Sequence, residues 1–524
     1  MLYPRAAMLG PIKNAYRLTK AVLTLAWYGA RFMPASVTLP GPLRVLRSSL
    51  NGSAEAEQRN ERLSRAIRAL GPSYIKLGQF LATRPDVVGP QLADALGALR
   101  DKLPPFSSGE AKREIEAAFG KPWQEVFAEF GPPVAAASIA QVHKASIVSA
   151  GGMRAAAVKI LRPGIEKRFE RDLDSFYFAA RMAERISPQS RRLRPVAAVD
   201  TLAQSVVLEM DLRLEAAAIS QMAENIAKAG DTGFRVPQVD WERTARRVLT
   251  LDWVEGIPLS DIAAIDAAGL DRNALGLAVI RSFLKHAIRD GFFHADMHQG
   301  NLFVDPRDGS IIAVDFGIMG RIGPKERRFL AEILYGFIVK NYRRIAEVHF
   351  EAGYVPPTQD VYAFSQALRA IGEPIMGRPA GEISMARLLT QLFEVTDIFQ
   401  MRMRPELLLL QKTMVVVEGV ARSLDPSLNI WIAAEPVVRE WIERELGPAA
   451  QVRHAVESAS ELANALRHAP ALIERGARIV EALRGGAERE DTREHAQRSR
   501  ALFLIPLWIT AATLIAIAAK LLFT

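Results

Sequence analysis

Residues 291–320 read GFFHADMHQGNLFVDPRDGSIIAVDFGIMG, and this stretch decides the fold because polar residues interrupt its apolar runs at spacings that chemistry explains. Asp296 is followed five residues later by Asn301, and Asp315 stands within a Val-Asp-Phe-Gly turn. Two β-type runs, 301–304 and 311–314, flank the turn-forming cluster Pro306-Arg307-Asp308-Gly309. That spacing predicts a hairpin returning Asn301 and Asp315 to one end of the pair. Two oxygen ligands then stand where they can share a hard cation.

Protein kinases use the same spacing: an Asp beside the attacking hydroxyl, an Asn five residues later on magnesium, and a DFG Asp between magnesium and the nucleotide phosphates. A rival chemistry takes His294, Asp296 and His298 as metal ligands, since His-x-Asp-x-His offers two imidazoles and a carboxylate in five residues. It leaves Asn301 and Asp315 without a role. The plainest reading is a buried polar loop between strands. The DFG tripeptide alone is a weak signal; the joint pattern is stronger.

A chain of 524 residues is too long for one ordinary core, and roughly two to four structural units are expected. Hydrophobic content of 49% with 24% charged residues describes a globular protein carrying something extra that is apolar. The net charge of +9 suits anionic lipid, phosphate ligands or nucleic acid. Nucleic acid ranks last, because no basic run is interleaved with the aromatic platforms of a single-strand binder. The absence of Cys excludes disulfides, thiolate zinc sites and iron–sulfur clusters.

Upstream of the central stretch, residues 155–160 (AAAVKI) read as a strand antiparallel to one that follows the small-residue turn at 135–140, with Gly151-Gly152 in the connector. Lys159 inside an apolar strand needs a partner, because an unpaired buried ammonium is costly. Nucleotide phosphate and Glu215 are candidates; snorkelling from an edge strand is the alternative. Residues 172–214 read as helix. Within them Glu209 and Asp211 lie about 200° apart at ~100° per residue and so make no obvious dyad. Residues 236–239 and 247–254 are strand-like, and Glu255-Gly256-Ile257-Pro258 suits a hinge between lobes.

Further out, residues 54–70 and 73–80 are helical around Gly71-Pro72, and Lys76 and Gln79 share a helical face. Residues 16–33 mix Arg17, Lys20 and Arg31 with Leu23, Leu25, Trp27 and Phe32. They fit either an interfacial helix or an amphipathic helix packed on the protein, and they lack a signal-peptide layout. After Gly256 the chain is mostly helical to about residue 446, with helices at 275–289 and 324–339. Residues 452–483 read as further helices and 484–500 as a charged linker. Residues 501–519 hold no charged side chain. At 1.5 Å per residue they span about 28 Å, close to a bilayer core of about 30 Å. Arg498 and Arg500 before this run place the large domain on the cytoplasmic side.

Several motifs together resemble the UbiB/ADCK family of atypical protein-kinase-like proteins. They are Lys76-x-Gly78-Gln79, the loop from Ala135 through His143, Val158-Lys159, Glu209-x-Asp211, Glu215-Ala216, the His294–Asn301 motif HADMHQGN, Asp315-Phe316-Gly317 and the stretch EGVARSLD at 418–425. The resemblance covers residues 65–425. It implies an α+β, bilobal protein-kinase-like fold with a helical N-terminal extension (1–109), an N-lobe (110–255) and a C-lobe (256–450). A helical and charged linker (451–500) and a C-terminal transmembrane helix (501–519) follow; members often carry two spans, and this chain has room for one.

The function implied is ATP and Mg2+ binding in support of ubiquinone biosynthesis at the bacterial inner membrane, with the catalytic domain cytoplasmic. ATP, membrane lipid or quinone precursors and other ubiquinone-biosynthesis proteins are the implied partners, and nucleic acid is not. By resemblance Asp296 takes the base position, and Asn301 and Asp315 hold the metal. The nucleotide site takes Lys159 and Glu215, the loop Val134, Ala135, Ala136, Ala137, Ser138, Ile139, Ala140, Gln141 and Val142, and the facing residues Lys76, Gln79, Glu209 and Asp211. A protein kinase proper and a catalytically silent nucleotide-binding scaffold stay open as alternatives.

Two residues depart from the family pattern: Ala140 stands where many members have Gly, and Gln299 replaces a common Pro. Three consecutive alanines carry Cβ atoms where ordinary kinases bring bare glycine backbone close to phosphate, so nucleotide is expected to sit differently. The helical pattern resuming at Pro324 leaves little activation segment on which a protein substrate could dock.

Overall fold

The antiparallel pattern around Lys159 forms the centre of a four-stranded sheet ordered β1 (Glu129–Ala136), β2 (Ala140–Ser149), β3 (Gly152–Leu161) and β5 (Val248–Asp252), all neighbours antiparallel. The computed structural model of the protein describes residues 11–28, 56–82, 90–97, 103–149, 151–186, 194–376 and 405–447, with a few single positions between them. Because β3 is interior, Lys159 cannot snorkel from an edge. Ala156, Val158 and Ile160 alternate with it and are buried on the opposite face.

That buried face packs on Ala111 and Ile115 of the helix α5 (Ser108–Phe119) and on Val126 and Phe127 at the end of the short helix α6 (Trp123–Val126). Burial of a side chain such as Ile115 contributes roughly 1.5–3 kcal/mol. The first turn of α5 is closed by a reciprocal capping box between Ser107 and Glu110, and Gly120 ends the helix in the left-handed conformation. The edge strand β1 slips register around Pro133, where a missing amide is tolerated.

Four N-terminal helices, α1 (Pro11–Trp27), α2 (Ala56–Leu70), α3 (Pro72–Ala82) and α4 (Pro90–Gly97), precede this lobe. Leu63, Ile67, Ile75, Ala95, Leu96 and Leu99 share an apolar cluster there. Gly78 lets Leu99 pack closely on its helix: a Cβ on it would lie 2.6 Å from Leu99 Cδ1 and displace that methyl. The α1 helix packs on α7 (Ile165–Ile186), with Arg17 Nη1 donating to the Arg171 carbonyl at 3.0 Å, while Tyr16, Leu23 and Trp27 are exposed. One face is thus packed and another is not.

The long helix expected over 172–214 is instead divided. Helix α7 ends at Ile186, α8 (Pro195–Glu209) starts with a proline in its first turn, and α9 (Leu212–Ala229) is a separate element capped by Asp211. Of the strand expected over 236–239, only Val239 pairs, as an isolated bridge to Leu251.

The second sheet is ordered β4 (Phe234–Arg235), β9 (Ile311–Ala313), β8 (Leu302–Val304) and β6 (Ile257–Pro258). Its outer strand β4 precedes the expected hinge, so the chain enters this sheet, returns to β5 and enters again at β6. The expected hairpin is β8–β9, in register from Leu302↔Ala313 to Val304↔Ile311. Helix α10 (Ile262–Ala267) follows β6, and α11 (Arg272–Leu284) leads through a π-helical turn, Lys285–Asp290, into β7 (Phe292–His294), which pairs with β10 (Met319–Arg321). Helices α12 (Pro324–Ile338), α13 (Tyr342–Glu351), α14 (Val361–Met376), α15 (Pro405–Leu424) and α16 (Ile430–Leu446) complete the described chain. Tyr342, Ile345, Phe364 and Leu368 lie in an apolar cluster of that half.

The linker and the apolar run at 501–519 lie outside the described residues. Among the described residues no helix is long and apolar enough to cross a membrane.

Gly291 is where the π turn must release the chain into the stretch 292–320. It adopts φ +64°, and a Cβ there would lie 2.5 Å from the Ile322 carbonyl oxygen, which belongs to backbone. Both the torsion and the clash forbid a side chain. Gly291→Ala is therefore expected to destabilise the protein by ~2–3 kcal/mol, read as a lower urea midpoint with an unchanged slope. A midpoint equal to wild type would contradict the packing of β7 against β10.

Candidate active site

Lys159 projects from β3 toward two carboxylates. Its Nζ donates to Glu215 Oε1 at 2.8 Å and Oε2 at 3.0 Å, and to Asp315 Oδ1 at 2.9 Å. Glu215 lies in the first turn of α9, is buried, and also accepts from the Phe316 amide at 3.3 Å. Burial disfavours the Lys159 ammonium, but Asp315 and Glu215 outweigh it and hold its pKa above the ordinary lysine value. Burial likewise opposes the Asp315 charge, yet the Lys159 ammonium prevails and keeps that carboxyl well below the usual range. For Glu215 burial wins, and its pKa is raised despite Lys159. The Asp315 side chain remains 45% exposed, so one of these carboxylates is open to an incoming cation.

Asp315 has φ +63°, a left-handed torsion that Asp tolerates better than most residues. Its Oδ1 accepts from the Gly317 amide at 3.3 Å. Asn301, at the start of the hairpin, is 8% exposed and donates through Nδ2 to the Asp296 carbonyl at 3.1 Å. That bond fixes the amide and leaves Oδ1 as a ligand atom. The hairpin turn is closed by Asp305, which accepts from Arg307, and by Gly309 at φ +71°.

The His-x-Asp-x-His metal reading fails on geometry. His294 is fully buried; its Nδ1 accepts from the Asp296 amide at 3.0 Å, so Nε2 carries the proton and faces the Val314 carbonyl at 3.4 Å. His298 Nδ1 accepts from the Gly300 amide at 3.0 Å. These imidazoles fold the loop. Among the described residues no group of His, Asp and Glu is arranged to hold a metal by itself. A metal here would take Asp315, Asn301 and further oxygens from its ligand and solvent, which the hard oxygen donors fit.

The remaining predicted residues separate by role. Lys76 Nζ lies 2.5 Å from Glu209 Oε2, with both side chains largely buried, and Gln79 sits half-buried on the same helix. Asp211 turns away from them to cap α9 and pair with Arg213. In the small-residue loop, Val134, Ala135 and Ala136 belong to the end of β1, whereas Ser138, Ile139, Ala140 and Gln141 are buried. The Ala137 amide donates to the Ala140 carbonyl at 2.8 Å and is not offered to a phosphate. Val142 lies within β2, and the Gln141 side chain braces backbone instead of reaching into the cleft.

Some supports were not legible in the sequence. Thr413 of α15, fully buried, has its hydroxyl 3.1 Å from the Ala295 carbonyl and 2.8 Å from the Leu409 carbonyl of its own helix, which share its single proton, and Gln299 Nε2 donates to Ser423 Oγ. Nothing in the spacing of Thr413 or Ser423 marks either as a partner of the loop.

A lysine held between a helix carboxylate and the DFG Asp, above a loop in which an Asn is oriented by the backbone of the base-position Asp, defines a protein-kinase-like protein. Residues 98–349 match the ABC1 atypical kinase-like domain, and residues 368–429 match the UbiB helical domain. The chain is 38% identical over 441 residues to the probable protein kinase UbiB of Marinobacter nauticus, across 82% of this chain and 80% of that protein. It is 38% identical over 468 residues to that of Aeromonas hydrophila, across 88% and 85%. A solved Mycobacterium tuberculosis structure, the complex of Rv3197 with erythromycin, aligns over 76% of this chain and 98% of that one at 26% identity and a TM-score of 0.47. The chain belongs to the UbiB family of atypical kinase-like proteins.

Removal of the shared cation tests the charge arrangement. Lys159→Met leaves Glu215 buried beside Asp315, a loss expected to cost about 3 kcal/mol near pH 8. Without the ammonium Glu215 is pushed further up, so the folded state binds more protons than the unfolded chain above the ordinary carboxylate range. The deficit therefore shrinks as pH falls from 8 to 6. Urea unfolding of wild type and variant at both pH values checks this; a deficit independent of pH counts against the coupling.

Proposed function

We propose that this protein is a membrane-attached atypical kinase or ATPase that binds ATP with Mg2+ in the cleft between the two sheets and supports ubiquinone biosynthesis. The observation that carries the reading is the bond from Lys159 to both Glu215 and Asp315 at 2.8 and 2.9 Å. Lys159 would orient the nucleotide phosphates, Asp315 and the Asn301 oxygen would hold magnesium, and Asp296, 40% exposed, would accept a proton from the attacking oxygen. Bound magnesium supplies charge neutralisation on the phosphates.

The acceptor follows from what succeeds Asp315. Strand β10 begins at Met319 and helix α12 already starts at Pro324. So short a connection provides no platform for an extended peptide, which favours water or a small membrane-borne molecule over a protein hydroxyl. The relatives are named probable protein kinases, and the same cleft would serve either acceptor. Attachment rests on the uncharged run at 501–519 together with the basic residues before it.

Two measurements test this. ATP turnover by the full chain in lipid vesicles, with and without a quinone-precursor mimic, is expected to require Mg2+ and to fall at least about 100-fold in Asp315→Asn with its fold retained. Equal turnover in wild type and a folded Asp315→Asn variant would remove the site assignment. Deletion of residues 501–524 is expected to release the protein from vesicles. Full retention after a high-salt wash would move the attachment to the N-terminal segment.

A further inference from the structure

The segment Leu103–Ser107 leads into α5, its Leu103 packs against the apolar cluster of the N-terminal helices, and it is fastened to the small-residue loop by two side chains that the proposed chemistry does not use. Arg162, just past β3, donates from Nε at 3.0 Å and from Nη2 at 2.8 Å to the Ala137 carbonyl. The same Nη2 donates to the Pro104 carbonyl at 2.9 Å, and the guanidinium lies over the Phe106 ring, 5.7 Å from its centroid. The Arg162 amide donates to the Ile139 carbonyl at 2.8 Å. One residue thus grips both the loop and the connector.

Gln141 provides the second fastening. Its Oε1 accepts from the Phe106 amide at 2.9 Å, and its Nε2 donates to the Phe106 carbonyl at 3.2 Å and to His143 Nε2 at 2.8 Å. His143 Nδ1 then donates to the Gly131 carbonyl of β1 at 2.8 Å, and the ring stacks on Phe130 at 4.4 Å. Gln141 is 1% exposed and His143 fully buried, so this chain of bonds is shielded from water. Both Gln141 donor positions and its acceptor are satisfied only while Phe106 keeps its place.

We infer that Arg162 and Gln141 are positioning residues that couple the 103–107 connector, and through it the N-terminal helices, to the loop over the nucleotide. The loop cannot change its backbone without breaking the Ala137 and Phe106 bonds, and the connector cannot shift without pulling on the loop. An interaction that moves the N-terminal helices would therefore reset the loop. The regulatory consequence rests on the nucleotide-binding reading above; the mechanical coupling does not.

The test uses the full-length protein in lipid nanodiscs and the variants Arg162→Lys, which keeps the charge but cannot fork between two carbonyls, and Gln141→Glu, which loses the donor to Phe106. Amide hydrogen exchange is first followed without nucleotide. Both variants are expected to exchange about tenfold faster in residues 103–107 and 134–140 together, with α11 and α15 unchanged. Faster exchange confined to one of the two segments, or spread over the whole chain, overturns the coupling. Mg-ATP is then titrated: a Kd raised about 5–10-fold, with maximal turnover changed less than about threefold, is expected of a positioning role. Unchanged affinity in variants whose segments do loosen together limits the device to fold support and overturns the regulatory inference. Absence of Mg-dependent nucleotide binding in wild type would instead sink the functional reading, while the exchange result still decides the coupling.

Discussion

The structure depends on one ammonium held between two carboxylates that come from different parts of the chain. Lys159 belongs to the first sheet, Glu215 to a helix beside it, and Asp315 to the loop after β9 of the second sheet. A buried ammonium without partners would surrender its proton or its place, so both carboxylates are required by burial as much as by function. One positive and two negative charges leave an excess of negative charge in the cleft. Asp315, the more exposed carboxylate, carries it most readily because Glu215 is the one pushed upward by burial. On the proposed reading, Asp315 would offer that charge to a divalent cation and Lys159 would turn to phosphate.

The stretch around Asp296 is shaped by backbone hydrogen bonds as well as by the packing of Phe292, Phe293 and Met297. His294 uses Nδ1 on the Asp296 amide and Nε2 on the Val314 carbonyl beyond β9, Asn301 is oriented by the carbonyl of Asp296, and Gly291 turns a π segment into a strand. The bonds of His294 and Asn301 are made within the protein, so these polar side chains are satisfied without water.

Much of this was legible in the sequence where local rules act. The β8–β9 hairpin follows from two apolar runs around Pro306-Arg307-Asp308-Gly309, and Lys159 with Glu215 follows from the cost of an unpaired charge. What local rules missed is non-local. The apparent helix over 172–214 stops at Ile186, directly before Ser187-Pro188 in the sequence, and restarts at Pro195, and Pro237 limited the supposed strand at 236–239 to a single bridge. These prolines were visible but outweighed by hydropathy. Azimuth separates Glu209 from Asp211 and the family motifs set Lys76 and Gln79 opposite both; the fold pairs Glu209 with Lys76 but spends Asp211 on an N-cap, which the motifs did not show. Gln141 read as a nucleotide contact because of its motif, and the fold spends its amide on Phe106.

The substitution of Gln299 for a common Pro illustrates how a lost restraint is replaced. Proline would fix one torsion of the catalytic loop through its ring; glutamine leaves the torsion free but reaches Ser423 of α15 with its side-chain amide. Thr413, three turns earlier on the same helix, has its hydroxyl beside the Ala295 carbonyl, and Asp425 at its end accepts from Asn273 at 2.7 Å. The stretch EGVARSLD is thereby explained in part, since Ser423 and Asp425 are tied to the loop and to α11. Helix α15 therefore acts as a splint for the residues on either side of Asp296. In a family whose kinase-like core and helical domain are separate sequence units, the loop touches both, and a change in the helical unit reaches the neighbours of Asp296 through the Gln299–Ser423 bond and the Thr413 hydroxyl beside the Ala295 carbonyl.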